Sequence, residues 1–203
     1  MEGYHHRQPC DLGHVLAAGH KLKIVKVFWD QRGRLVHRTS GPLPPIGEKA
    51  QLHVDQDKRE LRARAHAALH LTITAASENY ATFTEPPFLV GGGEARLTCR
   101  FRDDPRVILP KVIARAQQLA DAREDIAVKW APRDDAVKLA SHAPVPFEQV
   151  MPGEPTLRLV QCGKRSLLPC DAPLCDHTWQ IGQLKLGLVQ IKAEGVRFGV
   201  KVV

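Results

Sequence analysis

Leu61, Ala65, Leu69 and Ile73 recur every fourth residue behind Asp57-Lys58-Arg59-Glu60, an acid followed by a glutamate three residues on. An N-cap acid with that periodicity behind it specifies an amphipathic helix, whose apolar stripe has to be covered by another part of the chain. On both sides of this helix the hydrophobic period changes to two, the signature of half-buried strands. Strands with hairpin-like spacing, interrupted by helices, place the chain in the α+β class with mostly antiparallel sheets. The same helix carries His66-Ala67-Ala68-Leu69-His70. Side chains four residues apart lie one above the other on a helix, so the two imidazoles can hold one ion together. With Arg62 they fall on a face adjacent to the apolar stripe, a position suited to the wall of a cleft. A second cluster, Pro169-Cys170-Asp171-Ala172-Pro173-Leu174-Cys175-Asp176-His177, lies far downstream. Two helical histidines and a distant thiol form a usable donor set for zinc.

The segments before the helix read as a small β unit. Leu22, Ile24 and Val27 lead up to Trp29, Asp30 to Gly33 reads as a turn, and Leu35-Val36-His37 returns as the second arm of a hairpin. Gly41-Pro42-Leu43-Pro44-Pro45-Ile46-Gly47 is a stiff loop, because its prolines cannot donate ladder hydrogen bonds, and Leu52 and Val54 mark one more strand. After the helix, Pro86-Pro87 and Gly91-Gly92-Gly93 punctuate the chain, and Ala95, Leu97, Cys99 and Phe101 alternate with polar residues. A second helix is predicted from about Pro110, with Val112, Ala116, Leu119 and Ala120 on its apolar face. Ile126, Val128 and Trp130 form a strand, a short helix follows near Asp134 to Ala140, and a proline-rich, mobile loop is predicted between Pro144 and Pro155. The remainder is β-rich: Leu157 and Leu159, then Ile181 to Leu188, then Val196, Phe198, Val200 and Val202. The predicted division is a β unit over 1–55 and a larger domain over 56–203.

Charge and cysteine usage narrow the function classes. Lysine and arginine total 29 against 22 acidic residues, a net charge of +7 with pI near 9.3, which favours a polyanionic partner such as RNA. No apolar run approaches the ~20 residues that span a bilayer, which excludes a helical membrane protein. Five cysteines cannot all pair within the chain, and no secretory h-region opens the sequence, so a reducing cytoplasm is expected.

Taken in order, four stretches resemble the freestanding alanyl-tRNA editing proteins, the AlaX family related to the editing domain of alanyl-tRNA synthetase. Gln8-Pro9-Cys10-Asp11-Leu12-Gly13 is similar to the end of the family's G-G-G-Q-P-x-D-x-G loop. Val54-Asp55 through His66-Ala67-Ala68-Leu69-His70 resembles its V-D-x-x-x-R segment followed by H-x-x-x-H. Pro169-Cys170-Asp171 with Thr178-Trp179-Gln180-Ile181-Gly182 resembles C-G-G-T-H-V-x-x-T-G-E-I-G, and Lys192-Ala193-Glu194-Gly195 to Val200 resembles the closing K-x-G segment.

The resemblance implies an N-terminal β unit, read as a truncated barrel, followed by an editing-type domain with an antiparallel sheet and packed helices. It implies that His66, His70 and Cys170 are ligands of Zn2+ and that Gln8, the candidate catalytic position, lies at the editing pocket. The implied activity is hydrolysis in trans of the ester joining a mischarged serine or glycine to alanine tRNA, with the tRNA acceptor end as partner. Zinc can bring the deprotonation of water to a pKa of about 7. Alternatively it orients the terminal nucleotide while a separate water attacks. Glu60 and Asp171 are candidate general bases by nearness in sequence, and Arg59, Arg62, Arg64, Arg197 and Lys201 are candidate phosphate contacts. Two departures leave alternatives open. Leu174 stands where the family has its fourth ligand, so either three ligands suffice or Cys175 or His177 replaces it. His5-His6-Arg7 replaces the glycines before Gln8, which alters the substrate loop. A degenerate relative that binds tRNA or RNA without catalysis is the second reading.

Overall fold

The computed structural model describes residues 9–140, 145, 155–165, 167–170 and 172–203. Gln8, Asp171 and most of the Pro144 to Pro155 loop lie outside the described residues. The fold is α+β, with eleven strands in three antiparallel sheets and three α-helices among the described residues. The chain divides into two compact units, 1–60 and 61–203.

The first unit is an open four-stranded sheet in the order β3-β2-β1-β4, built from β1 (Gly13–Ala17), β2 (His20–Trp29), β3 (Leu35–Thr39) and β4 (Ala50–Val54). Among the described residues no barrel closes. The hairpin from Leu22 to His37 forms as the alternation predicts, and the Asp30 carboxylate ties its turn by accepting from the Arg32 and Arg34 amides at 2.9 Å each. The first strand, β1, was not foreseen; it is only five residues long and shows its period through just Val15 and Ala17, both buried. Its glycine, Gly13, has φ +155°, and a β-carbon there would sit 2.0 Å from the His53 carbonyl oxygen. That close approach of β1 to β4 is open only to glycine.

The first helix, α1, runs over Gln56–Glu78. Within the second unit it shares one hydrophobic core with α2 (Pro105–Asp121) and with the sheet ordered β10-β11-β6-β5: β5 (Thr82–Gly91), β6 (Glu94–Arg100), β10 (Leu184–Lys192) and β11 (Gly195–Val202). The period of two predicted for β6 and β11 holds: Ala95, Leu97 and Cys99 from one, and Val196, Phe198, Val200 and Val202 from the other, are all buried. Each large side chain removed from water in this way contributes about 2 kcal/mol. The third sheet, β7-β8-β9, comprises β7 (Ile126–Pro132), β8 (Thr156–Cys162) and β9 (Leu168–Pro169), with α3 (Arg133–Leu139) covering a small satellite core of Ala131, Ala136, Leu157 and Leu159.

Three local expectations are corrected. Helix α2 begins at Pro105, where the Asp104 carboxylate accepts from the Arg106 amide at 2.9 Å, and Pro110 lies inside it. A capping acid and a first-turn proline form a stronger start signal than a proline alone. Pro86 and Pro87 do not break the chain but sit within β5, where the pairing with β6 shifts register and the missing amide donors are tolerated. Ile181 belongs to a 3-10 turn over Thr178–Ile181 and not to the following strand. No described helix is long and apolar enough to cross a membrane.

Candidate metal centre

Helix α1 is buried well beyond one stripe. Every residue from Ala65 to Ile73 is buried, His66 and His70 being 4% exposed each. The histidines therefore do not line an open cleft wall, as the four-residue periodicity implies; the alanines at 63, 65, 67, 68, 75 and 76 let neighbouring elements approach the helix on several sides. The two imidazoles sit one turn apart with ring centroids at 5.1 Å.

The thiol arrives from a different element. Pairing of β8 with β9 matches Leu159 with Pro169, and the Cys170 amide continues that ladder by donating to the Arg158 carbonyl at 3.0 Å. Cys170, 2% exposed, is thereby delivered to the helix, its Sγ 3.4 Å from His66 Nε2. One donor atom from each of His66, His70 and Cys170 lies within 4.8 Å of the others, and among the described residues this is the only such group of three or more histidine, cysteine or acidic side chains.

The donor set fits an ion of the zinc class. Two imidazole nitrogens and one sulfur are the ligand types zinc prefers, and an imidazole nitrogen and a thiolate on one tetrahedral ion stand roughly 3.5 Å apart. Burial, then the charges of His70, Arg158 and Arg62, hold His66 well below the ordinary histidine range. Burial and Arg158 bring His70 down to about 4. Both rings are thus neutral near pH 7, the state in which a lone pair is available to a metal. The Nδ1 atoms of His66 and His70 are buried with no hydrogen-bond partner among the described residues.

Arg158 is a feature of the site that the sequence reading missed. Its Nη1 donates to the carbonyl oxygens of Cys170 and Ala172 and lies 3.6 Å from the Cys170 sulfur. In sequence it looked like one more polar residue on an alternating strand; only the β8–β9 register reveals its neighbour. The other expected positions sort differently. Leu174 and Cys175 are partly buried and pack against the main core, outside the group of three. His177 is turned to Asp125, Nδ1 to Oδ1 at 2.9 Å, and is not in the group either. Glu60 is exposed.

The arginines expected to meet phosphates are engaged within the fold. Arg62 is buried, Arg64 donates to the Ile181 carbonyl at 3.0 Å, and Arg59 faces the buried Asp11 carboxylate at 3.4 Å. Arg197 grips both Glu85 oxygens, at 3.1 and 2.8 Å. Lys201 stays exposed.

No protein-family model matches the chain. Among curated proteins it is similar to the alanine–tRNA ligase of Korarchaeum cryptofilum (strain OPF8), 24% identical over 191 residues. The match takes in 93% of this chain and 21% of the ligase, so the chain spans about a fifth of the length of this relative.

Proposed function

We propose that the protein is a metal-dependent aminoacyl-tRNA deacylase, clearing serine or glycine from mischarged alanine tRNA in trans. The observation that carries this reading is the meeting of His66 and His70 on α1 with Cys170, 104 residues beyond His66 in sequence, in one buried N,N,S group. A mere surface histidine pair has no reason to recruit a distant buried thiol. The similarity to an alanine–tRNA ligase over nearly the whole chain supports tRNA as the partner. So does the net charge of +7.

In this reading His66, His70 and Cys170 hold Zn2+, which when bound supplies Lewis acidity and brings water deprotonation toward neutral pH. Burial keeps both imidazoles unprotonated and so ready to bind. Arg158 fixes the backbone that presents the thiol. Gln8, by resemblance, contacts the aminoacyl end of the tRNA. Leu174 favours a second reading, a non-catalytic relative that binds tRNA, because leucine coordinates nothing and this one packs, partly buried, against the core.

The test is zinc content and hydrolysis of serine-charged alanine tRNA, measured on the wild type and on a His66→Ala, His70→Ala double variant. Stoichiometric zinc and hydrolysis, both lost in the double variant, are expected. A wild type that holds no zinc even when refolded in its presence, but binds tRNA, overturns the deacylase and leaves the second reading.

A further inference from the structure

With Arg62 buried and Arg59, Arg64 and Arg197 each already holding a partner in the chain, unengaged positive charge for a polyanion has to come from elsewhere. The first unit supplies it on one face of its sheet. Register pairs His14 of β1 with His53 of β4 on one side and with Lys23 of β2 on the other, and the next row on the same face pairs Leu16 with Lys21. The opposite face carries Val15, Leu22 and Ile24, all buried. Lys21 and Lys23 are exposed, and neither forms an ion pair among the described residues.

Of these, His14, Lys21 and Lys23 line a cleft of about 570 Å³ that Asp55 and Lys58 also line. Its one carboxylate is already neutralised, since Asp55 pairs with Lys58 Nζ at 2.7 Å and accepts from the Lys58 amide at 3.2 Å. The His14 and His53 rings stack on each other with centroids 4.7 Å apart and planes within 6°, which fixes an aromatic pair beside the lysines. Leu16 and Val25, 37% and 40% exposed, add apolar surface on the same face. Free ammonium groups, a stacked ring and exposed aliphatic surface are what a nucleic-acid strand needs, for its phosphates and for its sugars or bases respectively. A small free anion needs only the first.

We propose that the face formed by His14, Lys21, Lys23 and His53 seats a stretch of RNA backbone, with Lys21 and Lys23 each meeting a phosphate. The inference rests on the tRNA reading above for the identity of the polynucleotide, but the seat is made by residues of the first unit alone. It gives the chain a tRNA contact that does not draw on the metal ligands.

The experiment is binding of unacylated alanine tRNA to the full chain, read by fluorescence anisotropy across a salt series, for the wild type, a Lys21→Gln, Lys23→Gln double variant and a Lys21→Arg, Lys23→Arg double variant. Two lost phosphate contacts lower the slope of log K against log salt by about 2 and weaken binding at low salt by about tenfold or more. The arginine pair restores both, because the charge is kept. The glutamine pair should bind zinc and melt as the wild type does, since both lysines are exposed. Wild-type affinity and slope in the glutamine variant overturn this seat while leaving the deacylase reading intact. Loss of slope in that variant, in a wild type that hydrolyses nothing, upholds the seat and overturns the deacylase. Displacement of the tRNA by inorganic phosphate at constant ionic strength overturns the polynucleotide in favour of a free anion.

Discussion

Arg158 Nη1 donates to the Cys170 carbonyl at 3.0 Å and reaches its sulfur at 3.6 Å, so one guanidinium both fixes the backbone of the thiol and sets a positive charge beside it. A second bond from the same nitrogen, 2.9 Å to the Ala172 carbonyl, pins the chain two residues further on. A lysine at this position carries its nitrogen on a flexible stem, without the planar guanidinium that holds Nη1 fixed between the two carbonyls.

Arg158→Lys is therefore expected to weaken zinc binding by about 10 to 100-fold, the usual effect of removing a group that orients a ligand. Arg158→Met should do the same and in addition destabilise the protein by about 1–3 kcal/mol, because buried carbonyls lose their donor. Chelator competition and chemical denaturation measure the two effects separately. Unchanged affinity in both variants shows that Arg158 is packing alone.

Leu174→His places an imidazole where the AlaX pattern has its fourth ligand. The expected outcome is at least about tenfold tighter zinc binding with slower loss to chelator, because a closed four-ligand site holds its ion better than an open one. If an ion bound by His66, His70 and Cys170 needs an open position for chemistry, deacylation falls in the same variant. Equal zinc affinity in the variant and the wild type rules out a reach from position 174.

How much of this was legible in the sequence differs from element to element. The β6 and β11 strands could be read because sheets covered on one face force a strict period of two. The pairing of His66 with His70 followed from helical geometry, but the depth of α1 did not. Periodicity records which residues are apolar, and the alanines that admit neighbours on several sides of this helix are too small to stand out as a stripe. Arg158 was invisible because its meaning lies in the register of β8 on β9, a contact between segments whose pairing no local pattern encodes. The engaged arginines failed for a related reason: charge can be counted in a sequence, but whether Arg197 faces solvent or Glu85 depends on which strands become neighbours.

Gly13→Ala tests the close approach of β1 and β4. A β-carbon 2.0 Å from the His53 carbonyl oxygen has only backbone to push against. Destabilisation of about 1–3 kcal/mol is expected from the overpacking, with strain at φ +155° in addition. Urea unfolding followed through a first-unit reporter such as Trp29 reads it. A variant as stable as the wild type contradicts the β1–β4 register.

Cys99 and Cys162 are both pushed up to about 12, by burial first, from the ordinary thiol value of 9.0. Thiols whose folded value is raised stabilise the fold fully below pH 9, and that contribution is lost progressively as pH rises from 9 toward 12. Stability should therefore decline above pH 9 in thermal melts, and Cys99→Ala should flatten the decline. In iodoacetamide labelling at pH 8 the half-buried Cys10 and Cys175 react ahead of Cys99 and Cys162. Early labelling of Cys99 contradicts the burial.

The sealing of His66, His70 and Cys170 has a kinetic side. A donor group with 4%, 4% and 2% of its surfaces open offers a free ion almost no path in or out while the chain is folded. An ion held by these three side chains would load as α1 and Cys170 come together, and would exchange no faster than that contact opens. Protein matured without metal and protein matured with it would persist as two slowly interconverting populations, so its history fixes what a sample contains.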